Sequence, residues 1–356
     1  MPAACCRKVN ELECHKMIKA IVLFSGGLDS ILACKVLQEQ GIEVIALQCI
    51  TPFFGYQIKD NEDAWAKQVK KKYGIKLIVL DITEDYLKML KNPPHGYGRY
   101  FNPCIDCKIL MIKKALSLMK ELGASFVATG EVIGQRPMSQ RRDTLRIIER
   151  DSGAEGLLLR PLCAKNLKPT AVEEQGLVDR SRLLALAGRG RKEQMALAKK
   201  YSIADYPSPA GGCALADPIL SERFRTMFSL WDELDANDFL LAQVGRHFLL
   251  AEKAWFVVGR NQTENMKLVN LAREGDLLLQ YKRGPGPIGL MRRYSEPPPV
   301  KQAAAIILRY CKVAGNQPAE VSILDHTRAE LETVQVIPIP AEKLNNLWLS
   351  LAANDI

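Results

Sequence analysis

The chain has 356 residues, enough for about two domains of ordinary size. Its 47% hydrophobic and 25% charged composition is that of a globular protein, and no apolar run reaches the roughly 18 residues that a membrane span needs. A formal net charge of +9 suits a polyanionic partner and equally a well-solubilised enzyme, so it narrows the partner without naming it.

The opening stretch MPAACCRKVNELECHK carries several charges and no long apolar core. That excludes a secretory signal and predicts a flexible tail over residues 1–17, with Met17 as an alternative start and a cytoplasmic location. Ten cysteines without an export signal point to reduced thiols, metal ligands or catalysis, not to a disulfide framework.

Ile21-Val22-Leu23-Phe24 is long enough for one buried parallel strand. It breaks at Ser25-Gly26-Gly27, and from Asp29 the pattern turns helical through Ile31, Leu32, Cys34 and Leu37. A strand, a glycine turn and a helix N-terminus make an anion site, because the first helical N–H groups lack partners and the dipole favours negative charge. Gly26 and Gly27 let the main chain approach a phosphate, and Ser25 and Ser30 add hydroxyl donors. Asp29 suits such a site only if a cation such as Mg²⁺ stands between carboxylate and phosphate. The plainer alternative is an ordinary strand–turn–helix corner.

Further along, strands are expected at Ile42–Cys49, Lys76–Asp81, Ala124–Thr129 and Gly156–Pro161. Helices are expected at Asn61–Tyr73, Thr83–Lys91, Lys108–Glu121, Ser139–Arg150 and Arg180–Lys200, the last with a break at Gly188–Arg191. Alternation at this spacing predicts an α/β fold with a doubly wound parallel sheet, whose ligand lies at the carboxyl ends of the strands. This domain is placed at residues 18–235. A smaller α+β domain follows at 240–345, with strands at Phe248–Val258, Asp276–Tyr281 and Glu320–Leu324 and helices at Glu264–Ala272 and Lys301–Lys312.

The run Ser25-Gly26-Gly27-Leu28-Asp29-Ser30 resembles the PP-loop of the ATP pyrophosphatase family, whose fold is adenine nucleotide alpha hydrolase-like. No glycine-lysine-serine/threonine follows, so it is not a Walker A loop. The resemblance implies ATP cleaved between its α and β phosphates, with Mg²⁺.

Cys104-Ile-Asp-Cys107-Lys108 stands at a helix start, and a proline- and glycine-rich turn over Tyr206–Gly212 presents Cys213. Three thiolates suit a 4Fe–4S cluster with one iron lacking a protein ligand. Zinc, with His95 as the extra ligand, and a redox dithiol remain open alternatives. Thr129-Gly130-Glu131, Gly134-Gln135, Ser139-Gln140 and Arg160-Pro161-Leu162 then resemble, in the same order, the tRNA 4-thiouridine synthetase family. Its cluster-dependent members carry CxxC plus a distant cysteine, matching Cys104, Cys107 and Cys213. No THUMP-type tRNA-binding domain is recognisable ahead of the loop. Residues 244–338 instead resemble the small RNA-binding domain of NFACT proteins, with Arg246, Arg260, Lys282, Arg283, Arg292 and Arg293 available for phosphates. The bland alternative there is a solvated basic face. A GxGxxG match at Gly284–Gly289 is rejected, because Pro285 and Pro287 remove two of the donors such a loop needs.

The resemblance implies a tRNA sulfurtransferase that adenylates a base carbonyl and replaces its oxygen with sulfur from a sulfide or persulfide donor. ATP is expected on Phe24, Ser25, Gly26, Gly27, Asp29, Ser30, Gly130 and Gln135, with Asp29, Lys108 and Glu131 as candidate catalytic groups. A homodimer is possible, and no membrane is involved. The competing readings are a small-molecule adenylating ligase and a non-catalytic RNA-binding protein.

Overall fold

A computed structural model of the chain describes residues 17–206, 212–312 and 317–349. The tail cysteines Cys5, Cys6 and Cys14 and the turn at 207–211 lie outside the described residues. The chain divides into two compact units that do not follow the expected boundary near residue 235. The first holds the chain up to Cys49, Asp60–Leu80 and the stretch from Cys107 through Tyr206. The second holds Ile50–Lys59, Asp81–Asp106 and the described residues from Gly212 on.

The first unit is an α/β layer structure. Its elements are β1 (Lys19–Leu23), α1 (Leu28–Gln38), β2 (Glu43–Ile50), α2 (Glu62–Tyr73) and β3 (Lys76–Asp81). After α3 (Thr83–Lys91), which belongs to the second unit, come α4 (Cys104–Leu122), β4 (Phe126–Thr129), α5 (Arg142–Ser152), β5 (Leu158–Leu159), α6 (Ala171–Glu174) and α7 (Lys192–Lys200). The sheet order is β3-β2-β1-β4-β5, and β1 pairs in parallel with both β2 and β4. Strand β1 is buried from Ala20 on because helices cover both faces, which is why it reads as an unbroken apolar run. Order reverses between β1 and β4, the position where an open α/β sheet leaves a crevice.

The expected elements are present with three corrections in this unit. Helix α4 begins at Cys104, so the CxxC pair forms its first turn and does not precede it. Its buried face is centred on Ile109, Ile112 and Ala115. The stretch 180–200 is not one helix: a 3-10 turn at Arg180–Arg182 gives way to extended chain, and only α7 is helical. Gly188 sits at φ +79°, and Ala187 bridges Ile133, so this segment is drawn out along the 132–135 loop. The helix expected from Ser139 starts at Arg142, because Gly134 N donates to Gln140 O and closes a turn first.

The second unit adds α8 (Pro218–Leu230), α9 (Ala236–Leu241), β6 (Arg246–Leu249), β7 (Trp255–Val258), α10 (Gln262–Leu271), β8 (Leu277–Tyr281), β9 (Ile288–Arg292), α11 (Val300–Arg309), β10 (Ala319–Leu324), β11 (Glu330–Val336) and α12 (Ala341–Asn345). Its sheet runs β11-β10-β8-β9-β7-β6, with antiparallel pairs throughout. Phe248–Val258 is therefore two strands around a 3-10 turn, and β9 and β11 are additions to the expected set. The glycines of the GxGxxG match have packing roles. A Cβ on Gly289 would meet the Phe256 ring at 2.4 Å, and one on Gly286 would meet Cys311 Sγ at 2.6 Å. Phe53, Tyr86, Phe224 and Phe239 form an aromatic cluster in this unit, with ring centroids 5.0–5.6 Å from Phe53. Among the described residues, no helix is long and apolar enough to cross a membrane.

Candidate nucleotide site and cysteine turn

The loop Ser25–Ser30 leaves β1 where the sheet order reverses. Gly26 adopts φ +74°, open to glycine without strain, and Gly27 is the extended N-cap of α1. Ser30 Oγ donates to Gly27 O at 2.7 Å and accepts from Ser25 N at 3.3 Å, which folds the turn back over its own helix end. Ser30 N already donates to Gly27 O at 3.1 Å, so the amides of Leu28 and Asp29 are the first-turn donors left at the macrodipole's positive end.

The loop after β4 closes on the same place. A Cβ on Gly130 would lie 2.6 Å from the carbonyl carbon and oxygen of Asp29 and 2.8 Å from Ser30 N, so only glycine lets β4 run this close to α1. Gln135 Nε2 donates to Asp29 Oδ2 at 2.9 Å. Asp29 Oδ1, Gln135 Oε1 and Gln140 Oε1 are buried without a hydrogen-bond partner. Buried acceptors of this kind are costly unless a donor or cation meets them, so the residues fit a Mg²⁺-bound phosphate group.

Two expected roles are corrected here. Phe24 is 4% exposed and packs in the core with Leu28 and Ile31, which assigns its ring to packing and not to an adenine. Glu131 is not a surface helix-end residue. Its carboxylate is 2% exposed, takes Arg160 Nε at 3.2 Å and accepts from Thr129 Oγ1 at 2.9 Å. Arg160 also reaches Glu149 at 3.0 Å and Leu145 O at 3.1 Å. Burial opposes the guanidinium charge, but the two carboxylates hold its pKa above the ordinary value. Lys108 lies on α4 and contributes to the field at Cys49, whose thiol burial pushes up to about 12.

Trp65 has no counterpart in the sequence reading. Its Nε1 donates to Gln48 Oε1 at 2.9 Å, and its ring edge lies 4.0 Å from where a Gly26 Cβ would be. A single tryptophan on an otherwise basic helix was the available signal.

Cys104 and Cys107 stand one turn apart on α4, and Asn102 Nδ2 donates to Cys104 Sγ at 3.0 Å. Asp106 between them is buried and holds the preceding loop, accepting from His95 N at 3.0 Å and meeting His95 Nδ1 at 2.8 Å. His95 is thus engaged by a carboxylate through Nδ1 and is not merely solvated. Burial pushes the Cys213 thiol up to about 11, with backbone hydrogen bonds from the Leu215 and Ala216 segment pulling it down and Cys104 pushing it up. Cys104 and Cys213 are therefore near enough to feel each other. Three thiols without a fourth donor suit a cluster with an open iron better than structural zinc. Among the described residues, however, no three His, Cys, Asp or Glu side chains are arranged to hold an ion.

The basic residues expected to meet RNA are unequal. Arg292 is 2% exposed, locked on Asp276 at 2.7 Å and Asp238 at 2.9 Å, and is withdrawn from any phosphate-binding role. Arg260, Lys282 and Arg283 are surface pairs with Glu264, Glu330 and Glu320. Arg246 covers the Tyr310 ring at 4.5 Å.

Comparison with known proteins bears on both units. A family model described as thiamine biosynthesis protein (ThiI) matches residues 16–169, and one described as NFACT protein RNA binding domain matches residues 245–349. A "Probable tRNA sulfurtransferase" of Thermococcus kodakarensis is 29% identical over 139 residues, 38% of this chain and 34% of its own length. The tRNA-specific 2-thiouridylase MnmA of Treponema denticola is 37% identical over 123 residues, 32% of this chain and 33% of its own. The chain spans about a third of the length of these curated relatives. A crystal structure of a 4-thiouridine synthetase–RNA complex with bound ATP aligns at TM-score 0.32 and 18% identity, over 52% of this chain and 51% of that one.

Proposed function

We propose that this chain, which joins a ThiI-type domain over residues 16–169 to an NFACT-type RNA-binding domain over residues 245–349, is an ATP-dependent sulfurtransferase acting on tRNA. The observation that carries the reading is the Ser25–Ser30 turn at the sheet's reversal point, with the partnerless Asp29 Oδ1 beside it and Gly130 pressed against its backbone.

ATP sits with its phosphates on the first-turn amides of α1 and the hydroxyls of Ser25 and Ser30. A carbonyl oxygen of the base attacks the α-phosphorus, the bond to the bridging oxygen breaks, and pyrophosphate leaves. Sulfide then adds to the activated carbon, and AMP departs with the former carbonyl oxygen. The protein contributes position and charge: backbone donors offset the growing charge on pyrophosphate, and Asp29 would hold a Mg²⁺, which when bound would supply further charge neutralisation. Gln135 orients Asp29. Glu131 acts as a positioning residue, fixing the end of β4 through Arg160, and substrate orientation is assigned to Lys108. Cys104, Cys107 and Cys213 are the residues that would hold a 4Fe–4S cluster once their thiols are brought together, and when bound it would supply an open iron for sulfide. The tRNA is held by the exposed basic residues of both units. The absence of a long apolar helix among the described residues is compatible with a cytoplasmic enzyme.

The test is product analysis with ATP, tRNA and sulfide. AMP and pyrophosphate are expected, and Asp29→Ala should abolish their formation while leaving the melting temperature within a few degrees of the parent. ADP as product would overturn the assignment.

A further inference from the structure

Helix α7 packs on α1, and its inward face carries Gln194 and Ala198. Their C-terminal ends are tied together. Lys200 Nζ and Tyr201 OH both donate to the Glu39 carboxylate, at 2.7 Å and 2.6 Å, and Arg182 reaches Glu39 O. Nine residues separate Lys200 from Arg191, and nine separate Glu39 from Ser30. At 1.5 Å per residue each span is about 13.5 Å, so Arg191, the N-cap of α7, and Ser30 in the phosphate turn lie the same length along their helices from that tie. A second tie fixes the same end: Gly188 N donates to Ile133 O at 2.8 Å, two residues before the Gln135 that holds Asp29.

This end of α7 carries donors that nothing uses. Arg191 Nε is buried without a partner, and so is Nε2 of Gln194, a residue only 2% exposed. An arginine Nε and a side-chain amide left dry and unpaired beside a helix N-terminus are costly to folding. Both are donors, and their charge and polarity match an anion.

We propose that the N-terminal turn of α7, through Arg191 and Gln194, is a second phosphate-contacting element of the nucleotide site, taking the charge of the leaving pyrophosphate opposite the Ser25–Ser30 turn. The site then draws on two helix N-termini, and each dipole favours the group whose negative charge grows. This inference rests on the reading of residues 25–30 as a nucleotide phosphate cradle.

The test is calorimetric titration of the full chain with inorganic pyrophosphate, ATP and AMP. Loss of one charge-assisted hydrogen bond should make Arg191→Ala bind pyrophosphate roughly tenfold more weakly, with AMP affinity about unchanged. Arg191→Lys keeps the charge and should recover part of the loss. Gln194→Leu removes only an unpaired donor. If that donor were purely structural, this variant would become more stable with binding untouched; weaker pyrophosphate binding is expected instead. Should Arg191→Ala fail to fold, Gln194→Leu decides alone. Unchanged pyrophosphate affinity in the folded variants, with ATP still bound, would overturn this proposal and leave the nucleotide reading standing. Failure of the unaltered chain to bind ATP or pyrophosphate would overturn both.

Discussion

At Gly130 a methyl group has nowhere to go, because the atoms it would meet are backbone atoms of Asp29 and Ser30 at 2.6–2.8 Å. Backbone cannot rotate away as a side chain can, so β4 and α1 would have to separate. Gly130→Ala should therefore cost roughly 1–3 kcal/mol of stability and should also weaken ATP binding, read by denaturant titration and calorimetry on the same sample. Gly123→Ala is the control. Gly123 sits at φ +64° with open space around it, so alanine there should cost about 1 kcal/mol by strain alone and leave ATP affinity unaltered. The glycine of the Thr129-Gly130-Glu131 run was legible as part of a motif, but its reason was not: close approach between segments a hundred residues apart leaves no trace in local pattern. Glu131 illustrates the same limit. A carboxylate beside a phosphate loop reads as chemistry until its buried partner, Arg160, is seen.

Elements were read well where burial imposes a period and poorly where a backbone contact overrides it. Strand β1 could be read directly, because a strand covered on both faces has only apolar positions. The stretch 180–200 was not, since its apolar spacing suits a helix while Gly188 at φ +79° and the Ala187–Ile133 bridge draw it straight. The first turn of α4 is an element with a testable role. A thiol held near 11 must lose its proton to bind metal, so iron uptake by the chain should release protons and strengthen as pH rises from 7 toward 9. Anaerobic reconstitution with iron and sulfide should give coloured protein, and Cys213→Ala should give colourless protein with ATP binding intact. Cys163→Ala should keep the colour, since Cys163 Sγ instead donates to Glu131 O at 3.2 Å within the core. Stoichiometric zinc, or colour retained without Cys213, would remove the cluster from the proposed function.

Over the whole molecule the excess of cations acts together. Binding of tRNA should weaken steeply with salt, log K falling by about 0.7–0.9 per decade of salt for each phosphate neutralised, and filter binding across a salt series would measure it. Arg292→Gln should leave that slope alone, because its charge is spent on Asp276 and Asp238. Removing Arg246, half-buried over the Tyr310 ring, should lower it. A salt-independent affinity would favour a small-molecule substrate.

The aromatic cluster of the second unit has a consequence for how the chain is made. Phe53 and Tyr86 leave the ribosome long before Phe224 and Phe239, the rings they pack against. At ordinary synthesis speeds the wait is on the order of ten seconds. Through that interval the nascent chain displays sticky aromatic side chains with no core to enter, a natural station for a chaperone. Any gene fragment that stops before residue 224 would make the display permanent.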